Sequence, residues 1–405
     1  MSNVLVTSSI VAKRALPILE NMLTFAKACN REYQEEFDGN MSRGYAPGVT
    51  INIKKPPRYM YRAGAVANPQ ATVETTVPLT LSQGGCDIAL SSLELTLSVT
   101  QLDKKIAAAI APVANEIDRQ GLALAHFATF NTLNPAGAQP NTQALSVNAI
   151  ATMQQRLNEM AAPVKDNQRA LVMNPSLQAA LLQGYSGMFN KVSSIGDQNT
   201  TGAMNNQFGL NPDMDQNVDV HTNGTQVVTG TNVNAANQIG SNIVVVGLGG
   251  TITRGTVITL PGVFAVNPQS RTTTGTLAQF VVTADCAAAA TTIPVSPALV
   301  TSGAFQNVTA SPTNGQPFLI VGAASTAYAT NVAFHSDAFT LAMVPMWSPG
   351  PKGVISVEQM THNGFTVKVT QFYDGINDKM IMRIDVLFGY AATYPELAVK
   401  YYTLN

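Results

Sequence analysis

From about Thr225 to Ala329 the chain holds only short β-type runs cut by Gly, Asn and Pro. NIVVVGL, TVITLPG, QFVVTAD, TTIPVSPAL and PFLIVG are the clearest of them. Such spacing of strand and turn predicts a small antiparallel sandwich or barrel. Helical and mixed segments precede this stretch and a β-rich tail follows it. It therefore predicts a β-domain inserted into an α+β body, and that expectation constrains the rest of the chain.

The segments before it alternate between two periods. From Ser8 to Asn30, Ile10, Leu16, Leu19, Leu23 and Ala26 recur at three- and four-residue steps, which predicts an amphipathic helix. Pro17 is expected to kink or restart it. From Gly44 to about Thr100 the period shortens to two. VTINIKKPPRYMYR is broken at Pro56 and Pro57, TVETTVPLTL follows, and DIALSSLELTLSV sets Leu93, Leu95, Leu97 and Val99 on one face. Long strands with one polar face and few aromatics make a poor compact core, and they predict a projecting two-stranded arm. Residues 103–130 then carry Ile106, Ile110, Val113, Ile117 and Leu124 on one stripe, the longest helix expected, with Pro112 suited to a first-turn position where it would be entered afresh.

A second helix is predicted over Leu145–Ala162, with Ser146 as N-cap and Ile150, Met153, Leu157 and Met160 as its apolar stripe. RALVMNP reads as a buried strand and PSLQAALLQG as a helix closed by Gly184. A Gly-, Asn- and Ser-rich loop is expected from Gly184 to Asn217. Near the end, FTVKVTQFYDGINDKMIMRIDVLFGY predicts two strands around a DGIND turn.

At 405 residues the chain suggests two or three domains. Charged residues make up 12% of it, about half the usual share. A surface so poor in charge must be covered by Asn, Gln, Ser, Thr and Gly or buried against copies of the same chain, as interface cores are. The net charge of -1, with no run of Lys or Arg, argues against an arm that neutralises nucleic acid. Cys29, Cys86 and Cys286 are too scattered for a disulfide framework or a metal knuckle and are expected as buried free thiols. The N-terminus lacks an uninterrupted apolar signal region, and no stretch approaches the ~18 apolar residues of a membrane span. These features predict a soluble protein made in the cytoplasm.

No catalytic, cofactor-binding or metal site is expected. Of the four histidines, only His335 lies close to a carboxylate, Asp337, and it lacks a third ligand and a nucleophile. A hydrogen-bonded structural histidine at a domain junction is the expectation. His126 falls within the longest helix as a packed or interface residue. GLGG (247–250) follows a strand but opens no helix, so it is a turn rather than a phosphate loop. Asn40-Met41-Ser42 matches a glycosylation sequon.

Three segments carry a resemblance: RGTVITLPGVFAVNPQSRTTTGTLAQFVVT (254–283), AFHSDAFTLAMVPM (333–346) and MRIDVLFGYAATYPELAVK (382–400). Together they resemble tailed-phage major capsid (coat) proteins, and most closely the short-tailed-phage, P22-type coat protein family with an inserted immunoglobulin-like domain. The resemblance implies an α+β, HK97-like capsid fold. It assigns 1–35 to an N-terminal arm and 36–100 to the E-loop and flanking strands. Residues 101–144 become the spine helix and peripheral domain, and 145–224 the axial domain. Residues 225–330 become the inserted β-domain, and 331–405 the returning axial and peripheral strands.

By the same resemblance the function is that of a major capsid protein. It self-assembles as hexamers and pentamers into the icosahedral shell enclosing double-stranded DNA, without sequence-specific binding. Partners implied are a scaffolding protein and a portal, with a decoration protein as an optional addition and no membrane. Only about forty residues precede the arm, so a separate scaffolding protein is expected. The expected location is the virion, assembled in the bacterial host cytoplasm. Lys54, Lys55, Arg58, Arg62 and Arg271 are the candidate intersubunit contacts. Some HK97-like shells crosslink a lysine of the E-loop to an asparagine, but Lys54 and Lys55 are read as solvated or salt-bridging contacts. For Arg271 and the TTTGT after it two readings stay open, a contact across a two-fold axis by analogy with the family and a solvent-exposed loop. Two rival readings exist. A secreted β-rich adhesin or glycan-binding module predicts a signal peptide and exposed aromatics, neither of which is seen. An encapsulin-like compartment predicts no insertion.

Overall fold

The computed structural model describes residues 8–33, 49–67, 69–91, 102–134, 147–185, 206, 208–227, 231–347 and 355–404. In chain order the elements begin with α1 (Ser8–Met22), α2 (Phe25–Ala28), β1 (Thr50–Lys55), β2 (Thr75–Thr80) and β3 (Ser82–Ser91). Next come α3 (Leu102–Ala128), α4 (Val147–Glu159), β4 (Arg169–Met173), α5 (Pro175–Tyr185), β5 (Asn211–Met214) and β6 (Val220–Thr222). The middle of the chain supplies β7 (Gly240–Val244), β8 (Val257–Val266), β9 (Thr273–Val282), β10 (Thr292–Leu299) and β11 (Leu319–Ile320). The last strands are β12 (Ala327–His335), β13 (Phe339–Met343), β14 (Ser356–His362), β15 (Phe365–Asp374), β16 (Lys379–Ala392) and β17 (Ala398–Leu404).

The chain divides into two compact units. The first comprises Met1–Ile53, Thr76–Gly121 and Thr340–Ala391, and the second Lys54–Thr75, Leu122–Phe339 and Ala392–Asn405. In the first unit, β13, β16, β15 and β14 form a sheet in that order, antiparallel from β16 through β14, with β3 paired antiparallel to β16 over ten residues from Ser82 to Ser91. The DGIND turn joins β15 to β16 as the sequence predicts. Helix α1 packs on β14 and β15, and its Leu16 and Leu19 are buried. Pro17 lies inside α1 and does not break it. The break falls at Leu23–Thr24, where the Asp118 carboxylate of α3 accepts from the Thr24 and Ala26 amides at 2.7 and 2.9 Å. The amides freed at the start of α2 thus find a buried acceptor.

Helix α3 is continuous from Leu102 to Ala128 with Pro112 inside it, so the expected re-entry there is corrected. Ile106, Ile110, Val113 and Ile117 are buried, and Leu124 is half-buried. Likewise α5 runs through Gly184 to Tyr185 rather than closing at the glycine. The predicted stripe Leu93, Leu95, Leu97 and Val99, the N-cap Ser146 and the sequon Asn40 lie outside the described residues.

The second unit holds two sheets. One runs β17-β12-β4-β5, with β6 also paired to β12. Its apolar face carries Leu171, Met173, Ala333, Val399 and Tyr401. These pack with Ile150, Met153 and Leu157 of α4 and Leu177 and Leu181 of α5. Strand β5 pairs parallel with β4 although NPDM has no strand signal, because the β4 edge supplies the partner. The other sheet, β11-β8-β9-β10-β7, encloses a separate core of Ile243, Leu260, Phe280, Ile293 and Phe318. Where the chain enters and leaves this sheet its two limbs are hydrogen-bonded. β6 pairs with the start of β12, and the Asn223 and Ser325 amides donate to Thr326 O and Gly224 O at 3.1 and 2.9 Å. A Cβ on Gly224 would stand 2.1 Å from Thr251 O, so this neck closes only around a glycine.

Candidate functional site: an exposed arm and a buried lysine cluster

All five sequence-derived contact residues lie in the second unit. Lys54, Lys55, Arg58 and Arg62 belong to an arm, residues 54–75, that leaves β1 and returns to β2. Pro56 and Pro57 deny the arm a backbone ladder, and side chains join its two limbs instead. Lys54 pairs with Glu74 at 3.1 Å and the Tyr59 hydroxyl with Thr72 at 3.0 Å. The Met60 amide donates to Gln70 at 2.8 Å, and Gln70 donates back to Met60 O at 2.7 Å. Nearer the tip, Arg62 donates to the carbonyls of Gly64 and Val66. Beyond these contacts Tyr61 is 94% exposed and Val66 84%. Apolar side chains so exposed on a prolonged arm are unusual for an isolated chain.

The base of the arm lies over its own unit. Arg58 Nη2 meets Glu396 Oε1 at 2.8 Å, and its guanidinium stands 5.8 Å from the Phe305 ring centre. Lys55 Nζ sits 5.2 Å from the Tyr394 ring centre, where burial lowers its pKa. Arg271, in the turn between β8 and β9 with φ +56°, donates to Gly303 O at 2.7 Å and to Tyr59 O at 3.1 Å. The structure thus gathers Lys55, Arg58 and Arg271 at one groove. Lys54 and Arg62 serve the arm itself. Under the arm lie a space of about 880 Å³ bordered by Pro56–Tyr61 and Pro268–Arg271, and a cavity of about 330 Å³ lined by Phe130, Phe280 and Val308.

The second feature has no counterpart in the sequence reading. Lys400 of β17 is fully buried, and its ammonium donates to His126 O at 3.1 Å and Gly255 O at 2.9 Å. His126 of α3 and His221 of β6 stand beside it with ring centres 4.8 Å apart, and His221 Nε2 meets Thr256 Oγ1 at 3.1 Å. Burial drives the Lys400 pKa down to about 7, only partly offset by Asp219. Burial and then Lys400 push His221 down to about 3, and the same two causes hold His126 well below its ordinary value. Gly255 has φ +93°, and a Cβ there would stand 2.5 Å from His126 Nε2. Residues 126, 221, 255 and 400 are too far apart in sequence for any spacing rule to unite them. Only the placement of His126 as a packed helix residue pointed here.

His335 is the hydrogen-bonded structural residue expected: its Nε2 is 2.7 Å from Asp166 Oδ2, and its Nδ1 accepts from the Asp337 amide at 3.3 Å. GLGG opens no helix, and Cys29, Cys86 and Cys286 are all free thiols, Cys29 and Cys286 buried as expected and Cys86 only half-buried. Among the described residues no cluster of His, Cys, Asp or Glu could hold a metal, and no helix is long and apolar enough to cross a membrane.

Comparison with known families places this chain among the structural coat proteins of viruses. The matching family is described as "P22 coat protein - gene protein 5", it covers residues 2–401, and the chain belongs to that family. Among solved structures the chain is similar to one titled Mycobacterium phage Che8 at 12% identity and TM-score 0.47, covering 93% of this chain and 90% of that one. The capsid of Ralstonia phage GP4 gives 7% identity and TM-score 0.45, with 88% and 84% covered. The mature capsid of bacteriophage PhiM1 gives 9% and 0.42, with 87% and 81% covered. Comparison with curated proteins gives no match. The protein is a phage major capsid protein, a virion component whose copies assemble into a shell, and the α+β class expected from sequence holds.

Proposed function

We propose that the arm and its groove are contacts through which copies of this chain close hexamers and pentamers into an icosahedral shell around double-stranded DNA. The observation that carries this reading is the arm: a side-chain-braced projection with Tyr61 and Val66 almost wholly in solvent. In this reading Lys54, Lys55, Arg58, Arg62 and Arg271 act at or near subunit boundaries. Residues 101–144 act as spine helix and peripheral domain, 145–224 as axial domain and 225–330 as the inserted domain on an HK97-like body. The bonded neck at Asn223–Ser325 supports the last assignment.

Assembly takes place in the host cytoplasm with a separate scaffolding protein and a portal, and a decoration protein can be added outside. DNA is held by enclosure, in keeping with a net charge of -1. Shell expansion is a rigid-body shift of domains, and none of these steps needs catalysis. Negative-stain microscopy of the chain expressed with and without its scaffolding partner tests the reading. Uniform round shells, or rings that close only with the partner, are expected. A monodisperse monomer under both conditions would overturn it.

A further inference from the structure

We propose that His126, His221 and Lys400 form an acid-released latch, which holds the base of the β7–β11 sheet to the end of α3 and opens when its histidines take up protons. The device lies within a single chain and does not depend on the assembly reading. Four segments meet in it. The Lys400 ammonium of β17 ties His126 O, in the last turn of α3, to Gly255 O, in the turn that leads into β8. His221 of β6 reaches the same turn through Thr256 Oγ1 at 3.1 Å, and Thr253 Oγ1 donates to Thr222 O at 2.7 Å. The Gly255 amide in turn donates to Val282 O at 2.8 Å, which carries the grip into β9. The base of the sheet is thus held by one lysine and two imidazoles that belong to elements outside it.

The latch has no room for further positive charge. Lys400, His126 and Tyr402 are enclosed and His221 nearly so, and the two imidazole centres stand 4.8 Å apart. His126 Nδ1 is buried without a hydrogen-bond partner, so a charge gained on that ring meets no acceptor there. The groups facing the cluster are Arg254, set 4.3 Å over the Phe127 ring, the phenols Tyr402 and Tyr328, the Asn223 amide, and Asp219. Of these Asp219 alone is an acid. Burial and then Lys400 hold both histidines below their ordinary value, so the closed latch refuses protons that an open one accepts. Stability of the closed form is therefore whole above pH 6.5 and is lost as pH falls through the lower range. Opening can stay local, because β6 spans three residues and parting it breaks few backbone bonds.

Hydrogen exchange of the full chain, read by mass spectrometry as protection over the intrinsic rate, tests the latch. Segments 222–226 and 250–256 carry the reporting amides Asn223, Gln226 and Gly255, all hydrogen-bonded in the closed form. From about pH 8 to about pH 5 their protection is expected to fall ~100-fold or more. His221 supplies ~30-fold of this through its shift from 6.5 to about 3, and Lys400 ~10-fold through its shift from 10.5 to about 7. The β15–β16 hairpin should change less than ~3-fold over the same range. His126→Gln/His221→Gln keeps polar side chains without titrating rings and should lose only the ~10-fold share of Lys400. Equal loss at the latch and the hairpin would mean that acid unfolds the chain as a whole and would overturn the proposal. So would an unchanged latch, or a variant that responds like the parent.

If the variant does not fold, ring-labelled histidines in the parent give the answer by NMR. His126 and His221 should keep neutral-ring shifts until the neck opens and then titrate together, at one midpoint below 6.5. Separate titrations near 6.5 would show two rings already open to water and would overturn the latch.

Discussion

The arm and the lysine cluster are both polar, yet they are built on opposite rules. At the arm, Lys54 and Glu74 are 71% and 55% exposed, so their pairing competes with water at every moment. At the cluster, Lys400 is fully enclosed, with two carbonyls as acceptors. Exposed pairs are worth about 0–1 kcal/mol and can be traded for equivalent pairs elsewhere. A buried ammonium cannot be traded, since moving it or its acceptors leaves polar groups enclosed with their hydrogen bonds unmade. A subunit that must join others benefits from this division, with replaceable contacts at its boundary and irreplaceable ones inside.

The largest test of that contrast is Gly255→Ala. A Cβ at this positive-φ position would overlap His126, a ring fixed by its own packing, so a loss of at least ~2 kcal/mol in folding stability is expected by denaturant titration. A change below ~0.5 kcal/mol would mean that the cluster is as pliable as the arm.

The cluster also sets a pH dependence. Lys400 titrates at about 7 in the fold against 10.5 ordinarily. Between those values the unfolded chain binds a proton that the folded chain does not, so stability rises with pH across that window, by up to ~1.4 kcal/mol per unit. Below about 7 both forms are protonated and the full burial penalty is present. The histidines act in the same direction at lower pH: with His221 held at about 3, stability falls as pH drops from 6.5 toward that value. Melting curves of the parent and Lys400→Met should diverge between pH 7 and 10, the variant losing the rise. Parallel curves would contradict the assignment of the slope to Lys400.

How much of this was legible in the chain follows from the range of each interaction. Ile150, Met153 and Leu157 of α4, and Met160 just beyond its end, are buried as their period predicts, because helix faces are set locally. The β15–β16 hairpin was legible for the same reason. Pro17 does not restart its helix and Pro112 does not open one, since each lies inside a continuous helix that tolerates one lost hydrogen bond. Strand β5 was invisible, since NPDM becomes a strand only beside β4. Arg58 and Arg271 were found through resemblance, but their meeting over Tyr59 and Glu396 depends on tertiary contacts. The Lys400 cluster joins residues 126, 221, 255 and 400, and no local pattern marks it.

The arm yields the smallest effects on folding and the sharpest contrast. Arg58→Ala should lower the stability of the isolated chain by no more than ~0.5 kcal/mol, given a partly exposed pair, and Lys54→Ala by ~0.2 kcal/mol. Assembly should rank the same two variants much further apart. Lys54 braces the arm internally, whereas Arg58 is its link to Glu396 and Phe305, so sedimentation of assembled particles should fall for Arg58→Ala and hardly change for Lys54→Ala. Because the contact recurs in every copy of a closed shell, a fraction of a kcal/mol per copy accumulates. If both variants assemble equally well, the groove contact is only a surface pairing, and the division between tradable boundary and fixed interior no longer describes this subunit.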